Sequence, residues 1–144
     1  MAYPADFTDA HHRHWQDAEL LFANGRWPNA DQLYGFSAEC GLKTVMQALG
    51  MPVDPTTGNP AQSAHRKHVQ DLWPEFAKFV AFTQGRKGGR YLHLLPGGKP
   101  FASWSHHDRY VNRRSFPKQD VEQHQKAARG IRRMVRRAIQ DGLL

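Results

Sequence analysis

The feature that most constrains this chain is the apolar periodicity between Trp27 and Gly50. Ala30, Leu33, Tyr34, Ser37, Ala38, Gly41, Leu42, Val45, Met46 and Leu49 recur at the spacing that lines one face of an α-helix. Pro28 suits a first helical position, where its missing N–H leaves no bond unmade, and Gly50 supplies the stop. A helix with so continuous a small and apolar face requires other helices against it. Three further segments supply them. Phe7 to about Asn24 places Phe7, Ala10, Ala18, Leu21 and Phe22 on one side and ends at Gly25. About His68 to Thr83 carries Leu72, Trp73, Phe76 and Val80, with Pro74 tolerated in the first turns. Pro117 to Gln140 repeats Val121, His124, Ala128, Ile131, Val135 and Ala138 at intervals of three and four, and Gly142 closes it.

Between these helices Met51 to Ala64 is rich in Pro, Gly, Thr and Asn and reads as a loop. Gln84 to His107 holds two short apolar runs, YLHLL and PFASW, around the turn-forming Pro96-Gly97-Gly98-Lys99, which predicts a small β-hairpin. The expected architecture is one all-α domain spanning residues 1–144, an up-and-down bundle of four to five helices with that hairpin ahead of the last helix. A chain of 144 residues can bury a core without metal or disulfide staples. Cys40, the one cysteine, excludes an internal disulfide, and the acidic, proline-containing start MAYPADFTDA does not resemble a signal peptide, so a cytoplasmic location is expected. The most apolar stretch, Phe76 to Phe82, is interrupted by Lys78 and far shorter than the roughly 20 residues that span a bilayer, so no membrane association is expected.

A net charge of +7 points to polyanionic partners: a nucleotide, RNA, or an acidic protein. Lys126, Arg129, Arg132, Arg133, Arg136 and Arg137 share the side of the last helix opposite its apolar stripe. Like charges at this spacing repel by roughly 0.2 to 0.5 kcal/mol per pair, a cost that a bound anion would relieve. A second basic group, GRKGGR from Gly85 to Arg90, lacks the Lys-Ser/Thr and the strand-to-helix context of a P-loop. A third lies in WSHHDRYVNRR, Trp104 to Arg114, where imidazoles, a carboxylate, guanidinium groups and aromatics stand together. Such a mixture suits phosphate and base recognition through Trp104, Asp108, Arg109, Tyr110, Arg113 and Arg114, or acid–base work, since imidazole titrates near neutrality. The plainer alternative is a structural loop in which Trp104 and Tyr110 plug the core and Asp108 pairs with an arginine.

The nine histidines include His11/His14 and His65/His68 at i,i+3 spacing, but two ligands do not make a site, and with no HExxH or cysteine pair neither a metal nor a cofactor is expected. His11 and His14 fall on the apolar side of the first helix, where a bond to a backbone carbonyl is the ordinary role. Glu39 and Lys43, four apart, read as a surface ion pair on the outer side of the second helix. Cys40 has no basic sequence neighbour and no nucleophile motif is present, so covalent catalysis is not expected.

The order of the segments AELLFANGRWPNA (Ala18–Ala30), FSAECGLKTVMQALG (Phe36–Gly50), KHVQDLW (Lys67–Trp73) and DRYVNRR (Asp108–Arg114) resembles the HEPN domain family, over most of the chain though through short motifs. That resemblance implies a helical bundle, a homodimer, and either metal-independent RNA cleavage or binding of nucleotides and partner proteins, in toxin–antitoxin or stress systems. The ribonuclease members carry Arg, four to six residues, then His near the start of the last helix. Here Arg109 is followed at those positions by Arg114, Ser115 and Phe116, and Arg86 with His93 matches the spacing only within the glycine-rich segment. The expected function is therefore phosphate binding through Arg109, Arg113, Arg114 and the ridge residues Arg129, Arg133 and Arg136. A metal-independent ribonuclease using His106 or His107 with Arg109, and docking of an acidic partner such as an antitoxin, stand as alternatives.

Overall fold

The structure, a computed structural model, describes residues 3–83 and 85–144, side chains excepted at 85 and 86. It is all-helical: α1 (Phe7–Ala23), α2 (Trp27–Ala48), α3 (Val69–Phe82), α4 (Gly85–Leu94) and α5 (Lys118–Gln140), with short 3-10 turns at Ser63–His65, His106–Tyr110 and Arg113–Ser115. Asp6 caps α1 by accepting from the Asp9 amide at 3.0 Å. Gly25, at φ +73°, reverses the chain so that α1 and α2 form a helical hairpin. No described helix is long and apolar enough to cross a membrane.

The bundle is organised around α2, against which α1, α3, α5 and the 106–110 turn all pack. Because it is enclosed, α2 buries polar as well as apolar residues: Asp31, Gln32, Ser37, Lys43 and Thr44 lie inside with Tyr34, Leu42, Val45 and Met46. Gly41 permits close approach of both neighbours, since a Cβ there would stand 2.5 Å from Ile131 Cγ2 on α5 and 2.8 Å from His11 Nδ1 on α1. The sequence reading of Glu39 and Lys43 as an outer surface pair is corrected accordingly. Lys43 is only 6% exposed. Its Nζ meets Glu39 Oε2 at 2.9 Å and lies over the Phe7 ring, inside the enclosure that α1 completes.

The expected hairpin before the last helix does not form. Tyr91 to Leu94 belong to α4, and Phe101 and Trp104 enter the core separately from turns. Gly88, Tyr91 and Leu95 face inward at three- and four-residue spacing, which is helical rather than alternating. Gly88 serves packing: a Cβ there would lie 2.2 Å from the Val80 carbonyl oxygen of α3, whereas one on Gly89 would meet nothing. Gln84, and the Arg86 side chain in the Arg86–His93 match, lie outside the described residues. The Pro96 turn is seated on α5 over Gly130, where a Cβ would approach Pro96 Cγ to 2.6 Å.

His11 confirms the carbonyl-bonded role expected for a histidine on the inner face of α1. Its Nδ1–H donates to the Ser37 carbonyl at 2.7 Å, while the Ser37 hydroxyl donates to the His11 carbonyl at 3.0 Å. Burial, reinforced by the nearby positive charges of His12, Arg132 and His14, lowers the His11 pKa from 6.5 to about 4. The unfolded chain therefore binds one more proton than the folded one between those values. Stability that is complete above pH 6.5 is lost as pH falls toward 4, by on the order of 3 kcal/mol from this residue. Urea unfolding at pH 7 and pH 4.5 will show this loss, and His11→Asn, which keeps the donor to Ser37 without a titrating ring, will show a shallower dependence on pH across that window.

Candidate functional site

The WSHHDRYVNRR segment is fixed to α2 by its first residue. Trp104 is 1% exposed, lies flat over Gly35, meets Phe36 edge-on, and donates from Nε1 to the Asp31 carbonyl at 2.9 Å. Gln32 Nε2 donates to the Ser105 carbonyl at 2.8 Å. Ser105 Oγ then accepts from the His107 amide, and Asp108 Oδ2 accepts from the Ser105 amide at 3.0 Å, which closes the 106–110 turn. Trp104, expected among the ligand-binding residues, is thus a core residue, because α2 offers a glycine notch that accepts the whole indole. Asp108 caps its own turn in place of pairing with an arginine. Tyr110 is 68% exposed and plugs nothing.

The turn directs Arg109 outward. Its guanidinium carbon stands 4.5 Å from the Tyr110 ring centroid, and Nη1 donates to the His106 carbonyl at 2.7 Å, so the side chain is held in place without a carboxylate partner. Arg113 follows in a turn in which Asn112 Oδ1 accepts from the Arg114 amide. Arg109 and Arg113 meet Arg26 around a cleft of about 270 Å³ that Gly25, Pro28, Asn29 and Asp108 also line. This is the N-terminal end of α2, where Arg26 occupies the cap position and makes no side-chain capping bond among the described residues. Three arginines therefore line one cleft at the positive end of a 22-residue helix. Arg114 is exposed but does not line the cleft.

The ridge of α5 divides. Arg129 turns toward Glu19 and Arg132 toward His12, both over the Trp15 ring, and Arg137 pairs with Asp141 at 3.1 Å. On the other side Lys126 and Arg133 line an open cleft of about 710 Å³ with His93, Lys99 and the Pro96–Gly98 turn. Arg136 is exposed and has no ion pair among the described residues.

Of the two candidate catalytic histidines, the structure brings His106 beside a second imidazole and leaves His107 outside, edge-on to Tyr110. The His106 and His68 ring centroids are 4.2 Å apart. His68 Nδ1 donates to Glu39 Oε1 at 2.9 Å, leaving its Nε2 free of that bond, while the shielded His106 Nδ1 has no partner among the described residues. Glu39 thus orients His68 while Lys43 holds its other oxygen. Cys40 lies nearby as a buried thiol whose pKa burial pushes up to about 12, which leaves it protonated and unreactive. Sequence reasoning missed Arg26, Glu39 and His68 as site residues. The available signals were the arginine just before Trp27-Pro28 and the histidine second in KHVQDLW.

Comparison with protein-family models, curated proteins and solved structures finds no match.

The notch beneath Trp104 is the site's foundation. Gly35→Ala places a Cβ within about 2.0 Å of indole Cε2, a clash that backbone movement must absorb. We expect it to lower unfolding stability by about 3 kcal/mol in chemical denaturation and to increase tryptic cleavage between residues 105 and 114.

Proposed function

We propose that this chain is a HEPN-like module that recognises the phosphates of single-stranded RNA or a nucleotide, with Arg26, Arg109 and Arg113 as the primary contact. The observation that carries the reading is the convergence of these three arginines on one cleft at the uncapped start of α2. A guanidinium presents a planar fork of donors that matches phosphate oxygens in pairs, and helix-terminal amides add donors and positive potential. Tyr110, exposed beneath Arg109, supplies a ring on which an adjacent base can stack. Arg114, Arg133, Arg136 and Lys126 extend the positive surface along the strand, whereas Arg129 and Arg137 are partly neutralised by Glu19 and Asp141. The family resemblance adds a homodimer and a toxin–antitoxin or stress setting to this reading. An acidic partner protein is the competing occupant of the same arginines, and its binding would survive nuclease treatment.

A second reading, metal-independent RNA cleavage, is favoured by the His106–His68 contact. Glu39 keeps the His68 Nδ1–H engaged, so that Nε2 can take the proton of a ribose 2′-hydroxyl as it attacks phosphorus. On this reading His106, beside His68 and on the same turn as Arg109, would supply the proton to the departing 5′-oxygen. Arg109 would hold the phosphate, and the exposed His107 has no part in the step.

Fluorescence anisotropy with a labelled single-stranded RNA at two salt concentrations tests the binding. Arg109→Ala and Arg113→Ala should each weaken it about tenfold and reduce the salt slope by about 0.7 per lost phosphate contact. Unchanged affinity in both variants overturns the assignment. Analysis of the recovered RNA tests the second reading: cleavage lost in folded His106→Ala and His68→Ala but retained in His107→Ala supports it, and intact RNA with the parent protein excludes it.

A further inference from the structure

We propose that Asp31, His124 and Ser103 form an acyl-transfer site on the face where α2, α5 and the 101–104 turns meet. Asp31 Oδ1 and His124 Nδ1 are 2.5 Å apart, and His124 Nε2 is 3.3 Å from Ser103 Oγ. Carboxylate, imidazole and hydroxyl therefore stand in series through the two nitrogens of one ring. This is the relation in which a carboxylate fixes the tautomer and orientation of a histidine that takes the proton of a serine nucleophile. Such a constellation is recognised by geometry and roles and not by sequence position, which is why residues 31, 103 and 124 carry no linear motif.

The surroundings separate this arrangement from an ordinary buried ion pair. Asp31 and His124 are each 2% exposed, whereas Ser103 is exposed, so the carboxylate and imidazole are shielded while the hydroxyl meets solvent. His124 is stacked on Phe101, with centroids 5.2 Å apart and planes within 13°, which fixes the ring plane. Trp104, the residue after the serine, donates its indole N–H to the backbone carbonyl of Asp31 itself, so nucleophile and acid are tied through one anchor. All three open on a cleft of about 110 Å³ that Ser115 and Phe116 help to line. That volume suits a small acyl group of acetyl size. Asp108 and Asp120 at its border disfavour anionic substrates, so the class is a small neutral or cationic ester.

In the first half-reaction Ser103 Oγ bonds to the carbonyl carbon while its proton passes to His124 Nε2. The ester C–O bond then breaks and the proton goes to the leaving oxygen, releasing an alcohol and leaving the acyl group on Ser103. Water repeats the sequence on the acyl-serine, giving a carboxylic acid and restoring the hydroxyl. The Asp31 carboxylate balances the transient imidazolium.

The test is labelling of the intact protein with a neutral alkyl fluorophosphonate, followed by mass measurement and peptide mapping, with p-nitrophenyl acetate hydrolysis in parallel. The expected result is one adduct per chain, on Ser103, abolished with the ester hydrolysis by Ser103→Ala, an exposed and sterically mild change. Asp31→Asn, checked for retained helicity, should slow labelling by roughly 100-fold or more. Because the labelled position is read on the unaltered chain, the outcome does not depend on a core variant folding. Absence of label at Ser103 after prolonged exposure, or equal labelling rates in parent and folded Asp31→Asn, overturns the proposal.

Discussion

The contact between Trp104 and the bare backbone of Gly35 is the interaction on which the functional face depends. Removing a single Cβ from α2 opens a notch that takes an indole, and the indole N–H closes on the Asp31 carbonyl one turn earlier. Everything the 101–114 segment presents follows from that seat. Ser103 is held beside His124, Ser105 is tied to Gln32, His106 lies over His68, and Arg109 and Arg113 reach the end of α2 where Arg26 already stands. A long, irregular loop is thereby given the precision of the helices beneath it, which is what a site needs.

The enclosure of α2 explains a second trait, the unusual number of polar groups inside. A helix covered on nearly every side must bury its polar residues, and buried polar groups persist only when paired. The pairings run along the helix as Asp31 with His124, Ser37 with His11, and Glu39 with Lys43 and His68. Each joins α2 to another element or braces a residue that does. Such buried polar pairs add little net stability over apolar packing but are costly to break by removing one partner.

Four of the five helices were legible in the sequence because their apolar residues recur at helical spacing and, for α1, α2 and α5, their ends carry Gly or Pro. α4 was not, because the short apolar runs YLHLL and PFASW around the Pro96–Lys99 turn imitate a hairpin, and the packing of Gly88 on Val80 of α3 is invisible in the sequence. Part of the site was legible as composition: arginines, histidines and aromatics concentrated between residues 104 and 114. Their division of labour was not. Whether Trp104 faces a ligand or the core depends on a glycine 69 positions away in the chain, and the grouping of Arg26 with Arg113, of His68 with His106, and of Asp31 with His124 depends on the crossing of helices. The expectation that Glu39 and Lys43 lie outside failed because a periodicity read on one face assumes the opposite face meets water.

The primary phosphate contact lies at the start of α2, with α5 only extending it. Amide chemical shifts measured during titration with a short single-stranded oligoribonucleotide test it most directly. The account predicts the largest shifts at Trp27, Asn29 and Arg109 through Arg113, together with the side-chain Nε signals of Arg26, Arg109 and Arg113. Shifts confined to Lys126, Arg133 and Arg136, or no shifts at a saturating concentration, would contradict it.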